Sequence, residues 1–179
     1  MGRWVWGGAT LLVLSCAPPT TVAGATGVPP CSPTELTGTA RWQGATGSLA
    51  GGISLVNTGS TACALPGSAR VQLVDARGQV LPVTERQASD LCQAPQNTTG
   101  CQPQATVVVQ SGQQATLRFV WQNWCGQMPI GPIALDVSLP AQSRPFSVPV
   151  VDAAGIPSVA APRCVAPDSP STLALGPVE

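Results

Sequence analysis

The stretch ATLRFVWQNWCG, residues 115 to 126, carries the alternation that decides the fold class. Successive side chains of an extended chain point to opposite sides, so Leu117, Phe119 and Trp121 fall on one face. All three are large and apolar, and we expect that face to lie in the core. The stretch therefore predicts a β-strand that contributes bulky side chains to the interior of an all-β domain.

The same period of two recurs along most of the chain. Strands are predicted at 35–42, 52–57, 62–67, 105–110, 115–121, 132–139, 144–150 and 171–178, with a hairpin over 70–83. Turn residues separate these segments about every 8–12 residues, and no window has helical periodicity. The 19 prolines and 19 glycines suit turns and strand edges. The pattern predicts an antiparallel, immunoglobulin-like β-sandwich. If 115–121 and 132–139 are neighbouring strands, Arg118 and Asp136 are expected to pair.

Residue usage argues against several kinds of chemistry. Lys+Arg is 8 and Asp+Glu is 8, so the balance of charge gives no reason to expect nucleic acid as a partner. The chain has no His, and all of its basic residues are Arg, so triads that need His and chemistry that needs Lys are excluded. Neither a CxxC motif nor a phosphate-binding loop occurs, and we expect no metal and no cofactor. The sequence predicts a protein that is not an enzyme.

The carboxylates are the remaining catalytic candidates. A hydrolase of this kind needs two carboxyl groups facing each other in one cleft, and this stays open as an alternative. The acidic residues are scattered, however, and Asp75 and Asp152 both occur in the motif VDA-x-G. Aspartate caps turns by accepting hydrogen bonds from the backbone that follows it. We expect both residues to act in this way.

The N-terminal segment has the features of a targeting signal. MGRWVWGGATLLVLSC has one basic residue and then an apolar run too short to span a bilayer as a helix, as in a signal peptide. VLSC resembles a bacterial lipobox, which predicts a lipoprotein signal peptide at 1–15 and lipidation of Cys16. The alternative is cleavage near Ala25 and release as a soluble secreted protein. Residues 16–30 are rich in Pro, Ala, Gly and Thr and predict a flexible tether before a domain at 31–179. The expected location is extracytoplasmic, lipid-anchored to the cell membrane.

Six cysteines remain when Cys16 is set aside: Cys31, Cys63, Cys92, Cys101, Cys125 and Cys164. An even number in an exported chain predicts disulfides, although spacing alone leaves other pairings open. The segment between 92 and 101 is a short polar loop, which favours a local bridge. The order along the chain then favours the pairs 31–63, 92–101 and 125–164.

Two tryptophans are candidate ligand contacts. Trp124 follows the predicted strand, stands beside Cys125 and lies in a loop bounded by Gly126 and Pro129. It is expected either to pack on the disulfide or to stack on a sugar or a partner. Trp42, at the end of another predicted strand, is open to the same two interpretations.

Several segments together resemble a known family. They are CSPTEL, GGISLVNTGSTACALPGSARVQLVDARGQVL, LRFVWQNWCG, and PRC before LALGPV. These are similar to the bacterial domain-of-unknown-function family forty-two thirty-two, found on exported proteins and lipoproteins, over roughly residues 31 to 178. The resemblance implies a β-sandwich with pairs 31–63 and 125–164, the 92–101 bridge being an addition. It brings no catalytic residues.

The expected function is a non-catalytic binding or interaction domain of the cell envelope, held at the membrane by its lipid, with a protein or glycan as partner. The oligomeric state is left open. The alternatives are a structural or stress-related envelope protein without a specific ligand and the carboxylate-based hydrolase.

Overall fold

The computed structural model describes residues 27–45, 47–92, 106–140 and 144–179. Their secondary structure is β throughout, apart from one 3-10 turn at Pro33–Glu35. The strands are β1 Leu36–Ala45, β2 Ser48–Asn57, β3 Cys63–Pro66, β4 Arg70–Val74, β5 Thr84–Gln87, β6 Thr106–Val109, β7 Gln114–Gln122, β8 Ala134–Ser138, β9 Phe146–Val151 and β10 Thr172–Val178. The expected all-β class is confirmed.

Eight of these strands form one sheet in the order β4-β8-β9-β1-β2-β7-β10-β5, and β3 pairs with β6 separately. The centre of the sheet is β2, which is antiparallel to β1 on one side and to β7 on the other over most of its length. Two pairs are parallel, β1 with β9 and β10 with β5. The sheet therefore has a long antiparallel centre, flanked by shorter strands that form both parallel and antiparallel pairs.

The two edge strands of the sheet come together. The Val71 N–H on β4 donates to Glu85 Oε2 of β5 at 2.8 Å, and Gln87 Nε2 donates to the Ala69 carbonyl oxygen at 3.2 Å. The sheet thus curls into a nearly closed barrel. Side chains, and not a backbone ladder, bridge the seam between β4 and β5.

This topology leaves the immunoglobulin-like sandwich unconfirmed, because the eight strands form one continuous sheet. The continuity runs through β9, which pairs with β8 over residues 146–149 and then with β1 at Val150 and Val151. Alternation along the sequence fixes which side chains point inward. It does not fix which strands are neighbours, and that is the point on which a sandwich and a curled sheet differ.

The hairpin predicted over 70–83 forms only in part. Its first arm is β4, but in the second arm only Val80 bridges to Val74. The chain then enters β5, the segment TERQ, for which the sequence predicted no strand. This strand pairs in parallel with β10, and three of its four side chains are exposed. A polar edge strand lacks the alternation by which the others were found.

The predicted pair between Arg118 and Asp136 is wrong. β7 lies between β2 and β10, whereas Asp136 is on β8, which pairs with β4 and β9. Arg118 Nε instead lies 3.3 Å from Glu179 Oε1. The premise that β7 and β8 are neighbours fails because the chain crosses to the other side of the sheet between them.

Gly51 on β2 allows the largest side chains of the core to meet. It stands between Trp42 on β1 and Phe119 on β7 in one cross-strand row. The rings of Trp42 and Phe119 are 6.1 Å apart, edge to face. A Cβ on Gly51 would lie 2.0 Å from the Arg41 carbonyl oxygen. The missing side chain therefore permits both the close approach of β1 and the contact of the two rings.

The adjacent glycine provides a matched comparison. A Cβ on Gly52 would meet Thr116 Cγ2 at 3.5 Å, which is an ordinary contact. We expect Gly51→Ala to lower the free energy of unfolding by about 2–4 kcal/mol because a strand must move. Gly52→Ala should change it by no more than about 0.5 kcal/mol. Denaturant unfolding of both variants measures this, and equal stabilities would contradict the account.

Candidate functional site

The two tryptophans of WQNWC form one packed pair. Trp121 is fully buried and Trp124 is only 7% exposed, with ring centroids 5.5 Å apart. Trp121 Nε1 donates to Ser171 Oγ at 2.9 Å, and Trp124 Nε1 donates to the Gln127 carbonyl oxygen at 2.9 Å. A buried indole N–H needs such an acceptor. The loop after β7 therefore folds back so that Trp124 covers Trp121.

Trp42 extends the same aromatic cluster. Its ring lies 5.7 Å from that of Trp121, it is 7% exposed, and its Nε1 donates to Ser158 Oγ at 2.8 Å. The burial of both candidate ligand contacts, Trp42 and Trp124, favours packing over stacking on a ligand. Contact between either ring and a ligand stays a prediction.

Two of the expected disulfides are confirmed. The bond Cys125–Cys164 fixes the loop that carries Trp124, and Cys31–Cys63 fixes the beginning of the domain. Cys92 is also disulfide-bonded, but its predicted partner Cys101 lies outside the described residues. The lipidation candidate Cys16 lies outside them as well.

Asn123 is a key residue that the sequence interpretation missed. It is buried, with a left-handed backbone at φ 58°. Its Nδ2 donates to the carbonyl oxygens of Ala166 and Ser169, each at 2.8 Å. Its Oδ1 accepts from the N–H groups of Val165 at 3.0 Å and Ala166 at 2.9 Å. One amide thus holds the segment after Cys164. The available signal was an Asn directly after a strand, since Asn tolerates this conformation.

Asn57 has the corresponding role at the opposite end of the core. It is the last residue of β2, whereas Asn123 lies near the first. Asn57 is fully buried, and its Nδ2 donates to the carbonyl oxygens of Thr61 at 2.8 Å and Val109 at 3.0 Å. Its Oδ1 accepts from the Gly59 N–H at 2.9 Å. The amide closes the turn NTGS and ties it to β6, which pairs with the strand that begins at Cys63. Each end of the core therefore has a buried asparagine close to a disulfide.

Both VDA-x-G aspartates cap turns, as expected. Asp75 Oδ1 accepts from the backbone N–H groups two and four residues further on, at 2.8 and 3.0 Å. Asp152 Oδ1 accepts from the equivalent groups, both at 2.9 Å. Gly78 and Gly155 supply the positive φ that closes each turn. Both carboxylates are thus hydrogen-bonded to the backbone of their own turns.

A loop-end patch of exposed apolar side chains adjoins the WQNWC loop. It consists of Met128, Val80 and Ile130, which are 64%, 55% and 47% exposed. The three residues line one groove of about 270 Å³ between the turn after β4 and the loop after β7. The Ala76 N–H donates to the Ile130 carbonyl oxygen at 2.9 Å and joins the two segments. Three exposed apolar side chains thus lie together on two loops that are tied to each other, whereas Val108, Ile156, Val159 and Val165 are exposed elsewhere.

The loop-end patch and Cys31, the residue that follows the predicted tether, lie at opposite ends of β7. The loop follows the last residue of this strand, Gln122. At the opposite end, where β7 begins, the Asn57 N–H donates to the Gln113 carbonyl oxygen. The Cys31 N–H donates to the Ala64 carbonyl oxygen beside Cys63 at this same end. A strand of nine residues spans roughly 30 Å. The patch is therefore displayed about one barrel length from the point where the tether enters.

A second surface feature lies at the seam between β4 and β5. Two adjoining cavities of about 420 and 400 Å³ share Arg70, Glu85 and Ser138. Glu85 is the acidic residue in each, and it already accepts the Val71 N–H. Within the described ranges, no group of three or more His, Cys, Asp or Glu side chains is arranged to hold a metal ion. The seam is thus a groove of mixed polar and apolar lining with one arginine and one glutamate.

These features define a disulfide-linked all-β domain with a nearly closed sheet. The chain belongs to the family described as Domain of unknown function (DUF4232), whose model matches residues 31–178. The expected family is thereby confirmed. No curated protein and no solved structure matches the chain. Over the described part of the chain, no helix is long and apolar enough to cross a bilayer.

The clamp around Asn123 can be tested against its neighbour. Asn123→Ala removes four hydrogen bonds from a buried site and should lower the free energy of unfolding by about 2–4 kcal/mol. Gln122→Ala, at the exposed adjacent position, should change it by no more than about 0.5 kcal/mol. Denaturant unfolding measures both, and amide hydrogen exchange at Val165 and Ala166 should accelerate in the first variant alone. Unchanged exchange there would show that Asn123 does not hold this segment.

Proposed function

We propose that the protein is a non-catalytic, lipid-tethered, extracytoplasmic binding domain that presents its loop-end patch to a protein partner. The observation that supports this best is the position of the patch. It lies at the end of the barrel opposite the residues where the tether enters. A domain held to a membrane at one end would display its opposite end outward.

The compartment is supported by the cysteines and the leader. Disulfides persist in oxidising compartments outside the cytoplasm, and the described domain contains two complete ones. The lipobox VLSC with Cys16 supplies a means of attachment, and residues 16–30 supply distance from the membrane. These features together favour an envelope lipoprotein over release after cleavage near Ala25.

The chemistry of the patch favours a protein partner. Exposed Met, Val and Ile side chains around a groove provide contact area that is desolvated when a partner binds. Asp75 is the charged residue in the groove lining, and its carboxylate is occupied by its own turn. A glycan site normally offers exposed aromatic faces, whereas Trp42 and Trp124 are buried.

Two alternatives make different predictions. A structural envelope protein without a ligand would give no specific adducts from the patch. A carboxylate hydrolase needs two carboxyls in one cleft, but the two seam cavities share a single carboxylate, Glu85. Turnover of a polymer substrate by the purified protein would overturn the non-catalytic proposal.

The anchor is tested by substitution of the lipidated cysteine. Cys16→Ser removes the thiol to which the lipid is attached, so the protein should move from the membrane fraction to the soluble fraction or retain an uncleaved leader. Fractionation and mass spectrometry of the mature N-terminus measure both results. An identical membrane fraction with an N-terminus near residue 26 would contradict lipid anchoring.

The partner is tested by photo-crosslinking in intact cells. A photoreactive residue at Met128 should give a discrete protein adduct, because this side chain is exposed in the centre of the patch. The matched control is Val108, which is also exposed and apolar but lies on β6 at the tether end. We expect no corresponding adduct from it.

The same experiment separates the alternatives. Ile130→Glu in the Met128 probe background should abolish the adduct without unfolding the protein, since Ile130 is exposed. The same adduct from both probe positions would point to proximity and not to binding at the patch. The absence of adducts from Met128 would favour a structural role, and polymer adducts would favour a glycan partner.

A further inference from the structure

The outer face of the sheet carries two arginines with a glycine between them. Gly52 on β2 pairs with Arg41 on β1 and with Arg118 on β7, so the three residues form one cross-strand row. Neighbouring strands are about 4.8 Å apart, which places the two arginine Cα atoms about 10 Å apart. We call this set the arginine row. It lies on the flank of the barrel and is separate from the loop-end patch.

The glycine leaves a depression between the two arginines. The face holds a groove of about 380 Å³ at this point. Its lining includes Arg41, Trp42, Gly51, Gly52, Arg118 and Ala153. A Cβ on Gly52 would meet only one atom of Thr116 at ordinary contact distance, and next a backbone oxygen at 3.8 Å. The space above Gly52 is therefore open to a ligand and is bordered by Arg41 on one side and Arg118 on the other.

The charges in the arginine row are only partly compensated. Arg118 Nε pairs with Glu179 Oε1 at 3.3 Å, and both side chains are partly exposed. Arg41 is exposed, and among the described residues the ion pair within 4 Å is that of Arg118 with Glu179, so Arg41 has no carboxylate partner there. Exposed ion pairs of this kind are weak, so another anion can replace Glu179 at little cost. The row thus holds one uncompensated cation and one whose partner is exchangeable.

Guanidinium groups bind oxyanions through paired N–H donors in a planar fork. In the adjacent row of the same face, the Ser54 hydroxyl donates to Gln114 Oε1 at 2.7 Å, and Thr39 and Thr116 on either side of it offer hydroxyl groups as partners for a hydroxylated ligand. We propose that the arginine row is an oxyanion-binding groove. It takes a phosphate or carboxylate group of a hydroxylated ligand between Arg41 and Arg118, over Gly52, in place of Glu179.

The test is a titration of the full-length protein with inorganic phosphate, glycerol phosphate and glucuronate, followed by NMR of the Gly52 amide and the arginine Nε–H groups. We expect saturable shifts at Gly52 with at least one probe. Arg41→Gln should weaken binding about tenfold, the effect of losing a charge-assisted contact. Gly52→Leu should abolish binding by filling the groove, although both guanidinium groups remain.

Glu179→Gln should change the affinity in the opposite direction. It removes the internal competitor, so the affinity should rise by about threefold or more. Arg70→Gln, which removes an exposed arginine from β4, is the matched control and should leave binding unchanged. Melting temperatures close to that of the unchanged protein establish that the variants are folded.

Each result of the titration either supports or overturns the proposal. Saturation by phosphate probes alone, or by glucuronate alone, supports the groove and identifies the source of the oxyanion. No saturable shift with any probe overturns the proposal. Equal binding by Arg41→Gln and the unchanged protein, or weaker binding by Glu179→Gln, overturns it as well.

Discussion

The contact of Trp42, Phe119 and Trp121 across Gly51 is the interaction on which the rest of this domain depends. Two indoles and a phenyl ring from β1 and β7 meet over β2 because β2 has no side chain at that point. Aromatic pairs in such edge-to-face or tilted geometry add to the stabilisation from buried area. The central three strands are joined by their backbone ladders, and this contact adds side-chain packing across all three of them.

The ends of the core are closed by polar groups. Asn57 and Asn123 are buried amides, and each makes hydrogen bonds to backbone groups of neighbouring segments. Each acts beside a disulfide, which limits how far the same segments can separate in the unfolded chain. Apolar packing therefore holds the middle of the barrel, while amide clamps and covalent links hold its two ends.

The sequence predicted those features that are encoded locally. Alternation located nine of the ten described strands at least in part and placed Trp121 in the core, and the number and order of the cysteines gave two correct pairs. Strand order could not be read in this way, since pairing between distant segments leaves no local trace. The ion pair of Arg118 was missed for that reason, whereas the polar strand β5 was missed because it lacks alternation. The burial of Trp124 and the arginine row could not be predicted either, because both depend on how loops and strands pack in three dimensions.

The two disulfides also have a mechanical consequence. One lies at the tether end and one at the loop end, with β7 running between them. If the domain is anchored and bound as we propose, a pull between its N-terminal end and a partner at the loop end would run parallel to this strand. The hydrogen bonds from β7 to β2 and β10 would then bear the force together, whereas a perpendicular pull would break them one after another. Such a domain would resist extension along its own long axis, the direction in which an anchored protein is loaded.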